Sequence, residues 1–173
     1  MAEQNWKRLE RRAAEGFSRF LSGGKCVRVL SRESLMGRMI ECKYGDLAIH
    51  PDCPEQWLPS ARWFMENVMV DAKRRKTFSL EMVLRSRAHP FWLWQKKLRE
   101  DAGQKIALMV VTSPGGRGLL SYDVASAARL SESFGSIYIP SVVLTAFGKQ
   151  ATFVAFDAWL SAVGSPQALG CPA

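Results

Sequence analysis

The sequence predicts an α/β domain, a mixed central β-sheet flanked by helices, and three observations carry that prediction. Residues 65–73 and 105–112 form apolar runs with the length and β-branched content of strands, the second so continuous that both faces must be buried. Between them stand two helix-start signals, Ser79 ahead of one stretch and Pro90 opening the next. Ahead of everything, Trp6, Leu9, Ala13, Phe17, Phe20 and Leu21 recur close to helical spacing over residues 4–21.

In chain order, Gly23-Gly24 ends the opening helix, whose apolar stripe is interleaved with Arg8, Arg11, Arg12 and Arg19. Glu10 lies beside the stripe, so its carboxyl either points into the domain or pairs at the surface; Glu15 sits farther round. Lys25–Ser31 reads as a strand, Arg32–Ile40 as a connection and Tyr44–His50 as a second strand entered through Gly45-Asp46. Pro51, Pro54 and Pro59 make 51–59 an irregular excursion, with Trp57 and Trp63 packed beneath it or stacked on bases. Met65–Lys73 is then expected to be the central strand.

Ser79 caps a helix running to Arg87, with Glu81 in its first turn, and a second helix spans Pro90–Ala102 until Gly103 stops it. After the strand at 105–112, the turn at 114–118 lacks the pattern of a phosphate-binding loop. A helix follows over Val124–Phe134, then strands at Ile137–Phe147 and Ala151–Phe156 and a short helix to Val163. The expectation is one domain over 1–164 and a loose tail over 165–173.

At 173 residues and 47% hydrophobic, the chain is long enough for a single core burying about 70% of its unfolded surface. A formal net charge of +8 favours a polyanionic partner. The four cysteines contain no C-x-x-C pair, and Cys42, His50 and Cys53 match no zinc-module spacing, so reduced thiols in a cytoplasmic protein are expected. No apolar run approaches the roughly 18 residues of a membrane span.

The stretch Val68–Lys76 concentrates the chemistry. Because strand side chains alternate, Asp71 and Lys73 leave the same face, which sets a carboxylate beside an ammonium just ahead of the Arg74-Arg75-Lys76 tract. An acid-x-lysine triplet is common by chance, and Glu41-Cys42-Lys43 is a second copy. Only Asp71 has a further aspartate upstream on a neighbouring strand, Asp46 after its glycine turn. Two carboxylates from adjacent strands can hold a divalent cation, and the cationic tract can hold phosphates.

Gly45-Asp46, Asp71-Ala72-Lys73 on the next strand and Glu10 in an opening helix resemble the PD-(D/E)XK nuclease superfamily. The layout is most similar to Holliday junction resolvases of the archaeal and phage kind, which also carry a strand ending near a serine, here Ser31. The resemblance spans residues 6–112, with two departures: aspartate at the motif acid where the resolvases usually have glutamate, and a longer interval from Asp46 to Asp71. It implies a restriction-endonuclease-like core and Mg²⁺, with Mn²⁺ as a substitute, held by Asp46, Asp71, the Ala72 carbonyl and Glu10 or Glu15. Lys73 would position the attacking water, and Gln95 on the helix after the motif strand would face the metal. Arg8, Arg11, Arg12, Ser31, Arg74, Arg75, Lys76, Lys96 and Lys97 would contact DNA by shape rather than by base edges, in a homodimer matched to a two-fold junction. The expected activity is structure-specific cutting at branched DNA. A nuclease for flaps, nicks or linear ends, or a non-catalytic basic DNA-binding protein, are the alternatives.

Overall fold

A computed structural model describes residues 3–32, 45–112, 118–134 and 139–162, and it has the α/β architecture expected. A five-stranded mixed sheet forms the middle layer, in the order β3 (Val68–Arg74), β4 (Ile106–Thr112), β5 (Leu119–Tyr122), β7 (Lys149–Ala155), β6 (Ser141–Ala146). β3 and β4 run parallel, and the other pairs run antiparallel. A separate two-stranded ladder joins β1 (Leu30–Arg32) to β2 (Leu47–Ile49).

Alternation along the strands sorts the core into two layers. Val68, Val70 and Ala72 of β3 and Ile106, Leu108 and Val110 of β4 face one cluster, which α1 (Glu3–Leu21), α2 (Leu58–Asn67), α5 (Val124–Phe134) and α6 (Phe156–Ala162) complete. Met69, Ala107, Met109 and Val111 face the opposite cluster, closed by α3 (Leu80–Arg85) and α4 (Pro90–Ala102). In the first, the fully buried Phe17 ring meets Phe64 at 5.1 Å and Phe156 at 5.3 Å. Truncating such a side chain to alanine costs about 3–5 kcal/mol.

Local chemistry explains most boundaries. Gly23 and Gly24 take φ of +58° and +83°, and the Gly24 N–H returns to the Arg19 carbonyl at 2.7 Å, closing α1. The buried Ser18 hydroxyl then latches β1 to that helix, accepting from the Leu30 N–H at 2.8 Å and reaching its carbonyl at 3.2 Å. Ser79 caps α3 by accepting from the Met82 N–H, and Gly103 at φ +56° ends α4.

Four expectations need correction. The first strand is three residues long, because the backbone over 25–29 leaves the ladder that Leu30–Arg32 makes with β2. The proline-rich excursion holds a 3-10 turn at Glu55–Trp57 and then α2, in which Pro59 sits in the first turn, where its missing N–H costs nothing. β3 therefore begins at Val68 rather than Met65, and it is the edge strand of its sheet rather than the central one. β5, at Leu119–Tyr122, was not anticipated. The turn at 114–117 and the tail after Ala162 lie outside the described residues.

At the far edge, β6 exposes Val142 and Val143 at 48% and 51% of their surface. No charged residue interrupts it. Among the described residues, no helix is long and apolar enough to cross a membrane.

Candidate active site

Asp46 reaches β3 because of the residue before it. Gly45 adopts φ +84°, and a Cβ there would stand 2.5 Å from the Val70 carbonyl oxygen, so only glycine lets the two backbones meet. The approach allows the Asp46 N–H to donate to that same carbonyl at 2.9 Å. The Asp46 side chain then lies along β3, and its Oδ2 accepts from the Ala72 N–H at 2.6 Å.

Asp71 and Lys73 share the face of β3 that Met69 turns toward α4, as strand periodicity requires. Lys73 Nζ donates to Asp71 Oδ1 at 2.6 Å. Across from that pair, the Asp46 carboxyl lies close enough to Asp71 for the second acid to act on its ionisation. Burial first, then Asp71, push Asp46 from 3.8 up to about 7, against the opposite pull of the Ala72 N–H and Lys73. Near neutral pH the Asp46 carboxyl therefore holds its proton about half the time.

A cleft of about 440 Å³ opens over this group. Gly45, Asp46, Met69, Asp71 and Lys73 form one wall; Trp94, Lys97, Leu98 and Asp101 of α4 form the other. The donor set is all hard oxygen: two carboxylates, and the carbonyl of Ala72, which leaves the strand on the same side as the N–H that Asp46 holds. Such a set fits Mg²⁺, which binds through one or two carboxylates and keeps several waters. Among the described residues, no group of three or more His, Cys, Asp or Glu side chains could hold a metal ion.

Glu10 is accordingly not brought to Asp46 and Asp71. It is buried on α1, the helix packed on the opposite face of β3, and its Oε2 lies 4.0 Å from Arg32 Nη1. Glu15 lines a different groove, between α1 and α6, together with Arg12 and Arg19. Arg12 is engaged there with Asp157 at 2.9 Å, while Arg8 and Arg11 are exposed on α1. The Ser31 hydroxyl is buried on β1 without a hydrogen-bond partner among the described residues, and it does not line the cleft.

Of the cationic tract, Arg74 is half-buried and Lys76 exposed. Arg75 turns inward instead: its Nη1 lies 2.7 Å from Nε2 of the buried His89, and its N–H donates to the Thr112 carbonyl of β4. Burial and the Arg75 charge lower the His89 pKa. On α4, Lys96 is paired with Glu100 at 3.6 Å, and Lys97 faces the cleft. Gln95 is not in the cleft wall, and its Nε2 is buried without a partner among the described residues. It falls out of phase with the stripe 94, 97, 98, 101 that the helix turns to the site.

Trp94 and Asp101 are the site residues that sequence reasoning missed. Their spacing from Lys97 and Leu98 along one helix face was the available signal. No protein-family model, no curated protein and no solved structure matches this chain.

Proposed function

We propose that the chain is a metal-dependent endonuclease that hydrolyses phosphodiester bonds in DNA, built on a restriction-endonuclease-like core and directed to branched substrates such as four-way junctions. One observation carries the reading: two aspartates 25 positions apart converge beside the Lys73 ammonium in an open cleft. Like charges so placed are costly unless a proton or a cation sits between them, which is how a cation site is kept poised.

Asp46, Asp71 and the Ala72 carbonyl would hold Mg²⁺ or Mn²⁺. Bound there, the cation supplies positive charge where the phosphate gains negative charge in the transition state. Lys73, anchored to Asp71, projects Nζ into the same space, where it orients the attacking water and donates to a phosphate oxygen. The Ala72 N–H fixes the rotamer of Asp46, and Gly45 fixes its backbone. Lys97, Arg74 and Lys76 hold the strand on either side, so affinity falls steeply with salt. A two-fold dimer would offer two clefts to the two strands of a junction, and sedimentation velocity with and without DNA measures that stoichiometry.

Incubation with Mg²⁺ and labelled four-way, flap and linear duplex DNA tests the reading. The unmodified chain cuts branched DNA fastest, and Asp71→Asn cuts at least about 100-fold more slowly while still binding. Binding without cutting by either protein selects the second reading, a non-catalytic basic DNA-binding protein.

A further inference from the structure

The α4 wall of the cleft carries chemistry that the cation site does not use. Trp94 and Lys97 stand one turn apart on the same helix face, across from Asp46, Asp71 and Lys73. Their neighbours are committed elsewhere. Phe91 and Trp92 interlock at 5.2 Å in the core, and Lys96 is tied to Glu100. Trp94 also packs against the core cluster that holds Phe91 and Trp92, but it stays half-buried, lines the cleft and makes no ring-to-ring contact among the described residues, where Lys97 makes no ion pair.

We propose that this wall binds an unpaired stretch of DNA strand, Trp94 stacking on one base and Lys97 holding the adjoining phosphate, so that the substrate is single-stranded where it meets Asp46, Asp71 and Lys73. The inference rests on the nuclease reading and narrows its substrate. Three arguments support it. A cleft of about 440 Å³, closed along one side by a helix, has the volume of a small-ligand pocket, which accommodates a splayed nucleotide and not a stacked duplex. An indole beside an ammonium is the pairing that grips single strands without regard to sequence, since every base has a π-face. The charge of the lining is mixed, since among the described residues Asp46, Asp71 and Asp101 offset Lys73 and Lys97 until a cation is bound. Stacking therefore adds attraction to the Coulomb terms, and branch points or frayed ends supply the unpaired nucleotides.

The test measures binding in Ca²⁺, with a fluorescein-labelled dT oligonucleotide of about 12 residues against a blunt duplex hairpin, each checked afterwards for integrity. Trp94→Ala weakens the single strand about 5- to 100-fold and the duplex less than about twofold. Because Trp94→Ala removes a half-buried ring, two gentler variants accompany it. Trp94→Phe keeps most of the affinity but abolishes the quenching of tryptophan fluorescence that dT produces. Lys97→Ala, on an exposed side chain, lowers the salt slope for the single strand by about 0.7. Unchanged single-strand affinity in Trp94→Ala, equal losses on both ligands, or quenching that survives in Trp94→Phe overturns the proposal. Failure of the nuclease reading looks different: no DNA is cut in Mg²⁺, while the single-strand preference and its dependence on Trp94 persist.

Discussion

Two carboxylate sites flank β3, one buried and one half-buried, and they are built on opposite rules. On the α1 side Glu10 is set against a cation, with Arg32 Nη1 at 4.0 Å. On the α4 side Asp46 is set against another acid, Asp71, and the Lys73 ammonium beside them is already engaged by Asp71 at 2.6 Å. The first arrangement is what a fold does to make a buried charge tolerable. The second leaves a carboxyl at about 7, an electrostatic cost that stability alone would not select and that a cation would relieve.

The sharpest way to break the comparison is Asp71→Asn. If the α4-side pair is a cation site, cleavage falls by at least about 100-fold in a gel assay while the melting temperature moves little or rises. A variant that cuts normally removes Asp71 from the chemistry.

Asp46→Asn probes the cost directly, because the amide keeps an oxygen for the Ala72 N–H and can donate to Asp71. Below pH 3.8 folded and unfolded chains both carry the Asp46 proton, so the raised value has no effect on stability. Between 3.8 and about 7 the unfolded chain releases it and the folded chain does not, so stability falls as pH rises. Above that window the cost is complete, on the order of 2–4 kcal/mol for a shift of this size. Asp46→Asn should therefore raise the melting temperature at pH 8 by several degrees and leave it unchanged near pH 3.5 in thermal scans. Equal effects at both pH values would contradict the like-charge account.

Glu10→Gln gives the opposite signature on the α1 side. Removing the acid leaves Arg32 buried without its counter-charge, a loss of about 1–3 kcal/mol by chemical denaturation, with cleavage per folded molecule unchanged. Loss of cutting at full stability would instead return Glu10 to the metal set. The smallest effect is a proton count. Calorimetry of Mg²⁺ binding in two buffers at pH 6.5 should register release of somewhat under one proton, because Asp46 must ionise to accept the cation.

Much of this was legible in the sequence where one local rule decides an element. Val124–Phe134 and Pro90–Ala102 match their expected bounds, the latter because Pro90 and Gly103 mark both ends. α2 was hidden because only Glu66-Asn67 separate Trp63-Phe64-Met65 from Val68-Met69-Val70, and aromatic and apolar residues serve helix and strand alike. The convergence of Asp46 with Asp71 and Lys73 was readable from period-two alternation and the glycine ahead of Asp46. The far wall was not, because α4 carries large apolar residues around most of its circumference, from buried Phe91 and Trp92 to Leu93 at 67% exposure. Without a clear polar face its rotation over the sheet cannot be fixed in advance, and the family resemblance points to Gln95 where Trp94 and Asp101 line the cleft.

The uncharged edge at β6 bears on how the protein behaves at the bench. Among the described residues no strand pairs the outer edge of β6, and its amide and carbonyl groups, flanked by Val142 and Val143, form a template for another chain, with no lysine in the strand to discourage it. Concentrated stocks should clump through this strand before any other part of the surface, and placing lysine at Val143 is the conservative way to keep them monodisperse.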